Sequence, residues 1–182
     1  VVKPYPPVWR ETTSAVGAEK LVLGARLAHS LEEAVGDCHL VIGTTVLRDR
    51  RVARPLVRLP DLAAALKEKA APDLRVAVLF GPEKTGLTNP YLERCHFWLT
   101  IPTHGQQPSM NLGQAVAVCC YELSRARADL GPRAQQPPLA TAAETRLLVK
   151  HALDLFDATG YLSFLSKQDR ARKVWRTFLQ WN

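Results

Sequence analysis

The sequence predicts an α/β fold: a mostly parallel sheet with helices on both faces, followed by a small helical extension. Three observations carry this reading. Apolar runs of strand length, each bounded by turn residues, lie at 39–45, 76–80 and 97–102. Segments with helical spacing and helix-start signals fall between and after them. Beyond a polar, proline-containing stretch at 129–140, only helical patterns occur.

Taken in order, residues 1–13 hold three prolines and two aromatics and no period, as if leaving a strand upstream of Val1. Residues 18–27 read as a short strand. Ser30 and Glu33 have the spacing of a capping box and open a helix running to about Val35 or Gly36. The apolar strand at 39–45 ends in Gly43, Thr44 and Thr45, and a basic loop with Arg48, Arg50, Arg51 and Arg54 follows. Pro60 and Asp61 precede the stripe Leu62, Ala65 and Leu66 of a helix ending near Lys69. The run 76–80 reads as a fully buried parallel strand, and it enters a loop with Gly81, Pro82, Glu83 and Gly86. Asn89 and Pro90 mark another helix start. The strand at 97–102 leads into a polar loop, 103–108, after which Ser109, Met110 and Asn111 open a helix to about Ala128. Its stripe is Leu112, Ala115, Val116, Cys119 and Leu123.

The division is therefore an α/β domain at 1–128, a linker at 129–140 and a helical extension at 141–182. Thr141 and Glu144 repeat the capping-box pattern, and Leu147, Leu148, His151, Leu155 and Phe156 form the stripe of a helix ended by Gly160. The last helix sets Ala171, Val174, Trp175, Phe178 and Leu179 on one side. Lys167, Arg170, Arg172, Lys173 and Arg176 occupy its other faces.

Composition bounds the function. With 182 residues, 47% hydrophobic and 23% charged, the chain can bury a sizeable core. No apolar run reaches the roughly 18 residues of a membrane span, and no secretory signal is visible. Cys38, Cys95, Cys119 and Cys120 lack metal-ligand spacing and read as reduced, mostly buried thiols of a cytoplasmic protein. A net charge of +7 favours a polyanionic partner. The sequence has no Walker motif, dinucleotide fingerprint or nucleophile elbow.

Loops at the carboxyl ends of parallel strands are where such sheets bind ligands. The loop 81–86 serves equally as a flexible strand–helix turn or as a backbone cradle for a planar base, with Gly81 letting a ligand approach. Ser109 and Asn111 are either helix caps or polar groups aimed into a pocket. His104 reads as a solvated loop histidine, and the arginines at 48–54 as a solvated loop or a phosphate contact.

The stretch Leu79-Phe80-Gly81-Pro82-Glu83-Lys84-Thr85-Gly86-Leu87, with Ser109-Met110-Asn111-Leu112 downstream, resembles motifs 2 and 3 of the TrmH family of SPOUT-class RNA methyltransferases. The likeness is nearest to the TrmJ branch, and Gly43-Thr44-Thr45, Cys95-His96 and the helical extension support it. The resemblance implies a deep trefoil knot and a homodimer. It implies S-adenosylmethionine held by Thr44, Thr45, Val46, Gly81, Ile101, Pro108, Ser109 and Met110, largely through backbone groups. Glu83 and Asn111, with Ser109, fall at the reaction centre. Arg48, Arg50, Arg51 and Arg54 would meet RNA, and no metal is required. The implied reaction is 2′-O-ribose methylation of tRNA, at anticodon-loop nucleotide 32. An rRNA enzyme of the same fold and a knotted RNA-binding module without catalysis are the alternatives. The family's motif 1, Asn-x-Gly followed by an Arg, is missing, so the sequence is expected to lack an N-terminal stretch of the native protein.

Overall fold

The computed structural model describes residues 1–2, 16–46, 54–69, 73–104, 106–129 and 139–180. Its strands are β1 (Leu40–Thr44), β2 (Leu56–Arg58), β3 (Val76–Leu79) and β4 (Phe97–Thr100). They form one parallel sheet in the order β2-β4-β1-β3. The register sets Ile42 beside both Val78 and Phe97. β3 and β4 therefore flank β1, and the carboxyl ends of all three open side by side.

Alternation along the strands supplies both faces. Leu40, Ile42, Phe97 and Leu99 point one way, against Leu59, Leu62 and Leu66 and against Cys119. Leu59 belongs to a short 3₁₀ turn, Leu62 and Leu66 to α3 (Leu62–Glu68), and Cys119 to α5 (Leu112–Asp129). Val41 and Trp98 point the other way, against Leu31, Val35 and Leu92. Leu31 and Val35 lie on α2 (Leu31–Val35), and Leu92 on α4 (Asn89–Leu92). Helices on both faces are what the alternating elements predict. Ser30 caps α2 as expected, its Oγ accepting from the Glu33 N–H at 3.1 Å.

Four expectations change. Residues 18–27 hold no strand; Glu19–Leu23 is a short helix, α1, with Leu21 and Leu23 exposed. Among the described residues no neighbouring strand offers those residues a ladder. β3 is only half-buried, because it forms one edge of the sheet among the described residues. β2 was not anticipated. It is three residues long between Pro55 and Pro60, too short to show alternation, and it is held by pairing with β4. The stripe Leu147, Leu148 and Leu155 of α6 (Ala142–Thr159) is exposed, while Thr145 and Val149 face inward. The helix is apolar on more than one side, so spacing alone could not choose the packed face.

The helical extension packs on the sheet domain through α2. The Ala142 and Ala143 N–H groups donate to Cys38 O (2.7 Å) and Gly36 O (3.0 Å), carbonyls of the α2–β1 turn. These bonds satisfy donors that the first turn of α6 would otherwise leave open. α7 (Lys167–Gln180) crosses α6 and buries Val174 and Leu179. Arg170, expected on its basic outer side, is buried instead and paired with Asp157 of α6.

Candidate active site at the strand ends

A cavity of about 350 Å³ opens at the carboxyl ends of β1, β3 and β4. Three loops wall it. Thr44, Thr45 and Val46 come from β1, Gly81 to Leu87 from the loop after β3, and Ile101, Thr103, Pro108, Ser109 and Met110 from the loop after β4. All eight residues expected to line a cofactor pocket thus meet in one cavity.

Backbone bonds between strand ends fix the walls. The Thr44 hydroxyl donates to Leu79 O at 2.7 Å, and the Thr45 N–H donates to Leu99 O at 2.9 Å. Thr44 is therefore used to tie β1 to β3. Its contribution to the cavity is surface and backbone rather than a free hydroxyl.

The loop after β3 folds back on itself. The Gly86 N–H donates to Pro82 O at 2.7 Å, and Gly86 has φ +63, in the left-handed region that favours glycine. A Cβ on Gly81 would lie 2.1 Å from Gly86 C and 2.2 Å from Leu87 N. The close approach that Gly81 permits is to its own loop. Gly81 also lines the cavity, so its backbone borders both the folded loop and the open space.

Glu83 and Asn111 come together across two loops. Glu83 Oε1 accepts from Asn111 Nδ2 at 2.5 Å and from the Leu112 N–H at 3.1 Å. Asn111 Oδ1 accepts from the Gln114 N–H at 3.3 Å, which makes Asn111 the cap of α5. The capping reading of Asn111 holds, and its nitrogen goes to the Glu83 carboxylate; Asn111 is not among the residues that line the cavity. The carboxylate lies at the positive end of the helix dipole. Glu83 lines the cavity and Asn111 sits behind it. Ser109 lines the cavity and is exposed. Lys84, Thr103 and Leu112 also line it and were not assigned to a pocket from sequence. Their places beside Glu83, Pro102 and Asn111 were the available signal.

Of the four arginines of the basic loop, one is among the described residues. Arg48, Arg50 and Arg51 lie outside the described residues. Arg54 is 6% exposed, and its guanidinium donates to Glu93 O (2.5 Å) and Arg176 O (3.5 Å). It stands before β2, at the opposite end of the sheet from the cavity, and makes no contribution there.

Other reactive side chains stay out of the chemistry. Burial pushes the Cys95 thiol up to about 12 and the Cys119 thiol up to about 11, so neither offers a thiolate near neutral pH. Burial pushes His96 down to about 4, and its Nδ1 accepts from the Val41 N–H at 3.0 Å. Among the described residues no group of three or more His, Cys, Asp or Glu could hold a metal ion. None of the described helices is long and apolar enough to cross a membrane.

Comparison with known proteins identifies the surroundings of this cavity. Residues 4–121 match the model of the SpoU rRNA Methylase family. A tRNA (cytidine/uridine/adenosine-2'-O-)-methyltransferase TrmJ from Pseudomonas aeruginosa (strain UCBPP-PA14) is 40% identical over 112 residues, 62% of this chain and 43% of that protein. The matched stretch thus spans less than half the length of that relative. TrmJ from Pectobacterium atrosepticum is 29% identical over 168 residues, covering 90% of this chain and 69% of the relative. The crystal structure of TrmJ from Z. mobilis ZM4 superposes with a TM-score of 0.70 at 30% identity, covering 92% of this chain and 68% of that one.

Proposed function

The chain belongs to the SpoU rRNA Methylase family, and from that premise we propose that it methylates ribose 2′-hydroxyls of tRNA with S-adenosylmethionine as donor. The observation that carries the reading is the convergence of the loops after β1, β3 and β4 on one cavity, with Glu83, held by Asn111, at its wall. The lining suits the donor. Leu87, Leu99, Ile101 and Ala115 give an apolar slot, and its volume falls in the range of small-molecule sites. Bound there, S-adenosylmethionine supplies a methyl group made electrophilic by a sulfonium.

The chain's own task is to orient the ribose and manage one proton. Glu83 Oε1 is occupied by Asn111 and Leu112, whereas Glu83 Oε2 has no hydrogen bond among the described residues. Oε2 is the acceptor we assign to the 2′-hydroxyl, with Ser109 beside it on the cavity wall. Holding the two reacting atoms in line supplies several kcal/mol of the barrier reduction. Arg48, Arg50 and Arg51 supply RNA contacts in this reading. Replacing Arg50 and Arg51 together weakens RNA binding and flattens its salt dependence.

Finer points belong to the same proposal. The target is anticodon-loop nucleotide 32, the loops form a trefoil knot, and the protein is a cytoplasmic homodimer with an α/β domain and a helical extension joined by the linker 129–140. The family's description also names rRNA, which keeps an rRNA substrate as the second reading. The experiment is calorimetric titration with S-adenosylmethionine, followed by methyl transfer to tRNA and rRNA transcripts with mapping of the modified nucleotide. A 2′-O-methyl at tRNA nucleotide 32 is the expected product. Transfer to rRNA alone moves the assignment to the second reading. Cofactor and RNA binding without transfer would leave a non-catalytic knotted module.

A further inference from the structure

A separate cavity of about 270 Å³ lies where α7 meets the segment before β2 and the end of α4. Arg54, Arg172, Lys173 and Arg176 line it with Glu93 and Asp169. Among the described residues the four cations outnumber the two carboxylates, and the carboxylates are already engaged. Arg172 takes both, at 3.0 Å from Glu93 Oε1 and 3.2 Å from Asp169 Oδ1. Buried Arg54 donates to two backbone carbonyls and, among the described residues, to no carboxylate. Lys173 and Arg176 are exposed, stand one helical turn apart and make no ion pair among the described residues.

Two exposed cations, Lys173 and Arg176, that share a concavity with buried Arg54 and have no ion pair among the described residues make a site for an anion. Burial lowers the proton affinity of Arg54 and the charge of Arg176 lowers it further, while Cys95 and the Glu93 carboxylate oppose the shift. Among the described residues the lining has no aromatic ring on which a base could stack, and its one apolar side chain is Leu165. Cations without stacking partners recognise the phosphate backbone rather than the bases.

We propose that this cavity binds a phosphate of the RNA backbone, so that α7 clamps the RNA body at the amino ends of the strands while the target nucleotide occupies the cavity at their carboxyl ends. The inference rests on the RNA reading above. The two cavities are separated by the length of the strands, roughly 15 Å at about 3.3 Å per residue. A single nucleotide therefore cannot occupy both, and the clamp would act on the RNA at a distance from the modified ribose.

The test is the double variant Lys173→Gln/Arg176→Gln in the full chain, read by fluorescence anisotropy with a tRNA transcript from roughly 50 to 200 mM salt. The expected result is affinity about tenfold weaker at 0.1 M salt and a slope of log affinity against log salt smaller by about 2. Titration with S-adenosylmethionine should stay at the wild-type value. An unchanged slope overturns the inference. Loss of inorganic tripolyphosphate binding with an unchanged RNA slope also overturns it, because the site would then take free phosphate rather than RNA. If the wild-type chain binds tRNA with the expected difference but transfers no methyl group, the methyltransferase reading falls and the clamp stands. If it transfers methyl and the variant keeps the wild-type slope, the clamp alone falls.

Discussion

The Asn111 amide nitrogen donates to Glu83 Oε1 at 2.5 Å, and this bond joins the loop after β3 to the head of α5. The same side chain caps α5 through its oxygen. One residue thus sets both the start of a helix and the orientation of the acid at the cavity.

Two substitutions separate these roles. Asn111→Ala removes cap and donor together, and should cost about 1 kcal/mol of stability and on the order of 10²-fold in methyl transfer. Asn111→Asp keeps a capping oxygen but sets a second carboxylate against Glu83. It should melt close to wild type and still lose transfer. Parallel thermal melts and initial rates check this, and wild-type turnover in either variant would remove Asn111 from the site.

The two loop glycines should fail for different reasons. Gly81→Ala drives a Cβ into the Gly86–Leu87 backbone, which cannot rotate away as a side chain can. A loss of about 1–3 kcal/mol is expected, with cofactor binding weakened because the wall has shifted. Gly86→Ala meets open space but must keep φ +63, at a cost of roughly 1–2 kcal/mol. Thermal melts with calorimetric titration decide it. A Gly81→Ala protein of wild-type stability would show that the loop is not packed as described.

Much of this was legible in the sequence, and the failures share a cause. The strands at 39–45 and 97–102 announced themselves because burial on both faces leaves them almost wholly apolar, and the run at 76–80 is as apolar although its strand is half-buried. Their carboxyl ends then located the cavity, and the eight residues that the family resemblance gave to the cofactor are among those that line it. What sequence could not supply was the partner of each group. Arg54 reads as one more loop arginine until Glu93 O and Arg176 O are brought to it. Arg170 reads as an outer cation until Asp157 faces it across α6 and α7. Gly81 reads as room for a ligand until the loop doubles back onto it.

His96 should impose a pH dependence on stability. Its folded value, about 4, lies below the ordinary 6.5, so the unfolded chain binds the extra proton first as pH falls. The contribution is complete above pH 6.5 and is lost progressively down to about pH 4. Its size is up to about 3 kcal/mol. Denaturant melts between pH 7 and pH 4 on wild type and His96→Asn should differ in slope. An NMR titration of His96 centred near the ordinary value would contradict the burial.

The four thiols should label in a fixed order. Cys120 is exposed, Cys38 is half-buried, and Cys95 and Cys119 are buried and held protonated. Iodoacetamide at mildly alkaline pH should modify Cys120 first, and Cys95 and Cys119 only when the chain unfolds. Mass spectrometry of timed samples reads the order. Early modification of Cys95 would mean that the α4 face of the sheet opens in the native state.

The head of α6 joins the extension to the sheet domain, so its cap should matter beyond the helix. Thr141 Oγ1 accepts from the Glu144 N–H at 3.2 Å, and Glu144 Oε2 accepts from the Thr141 N–H at 2.8 Å. The next two N–H groups, of Ala142 and Ala143, run to Cys38 O and Gly36 O. Bonds from the Thr141 backbone and hydroxyl hold the Glu144 carboxyl below its ordinary value. Its stabilising part is therefore present above the ordinary carboxylate range and is lost as pH falls through the lowered value. Thr141→Ala should cost about 1 kcal/mol. It should also speed amide exchange at Ala142 and Ala143 more than at Val174 or Leu179, because the cap aims those two donors at the α2–β1 turn. Hydrogen-exchange mass spectrometry tests this, and equal acceleration along α6 and α7 would show that the extension opens as a unit rather than from its first turn.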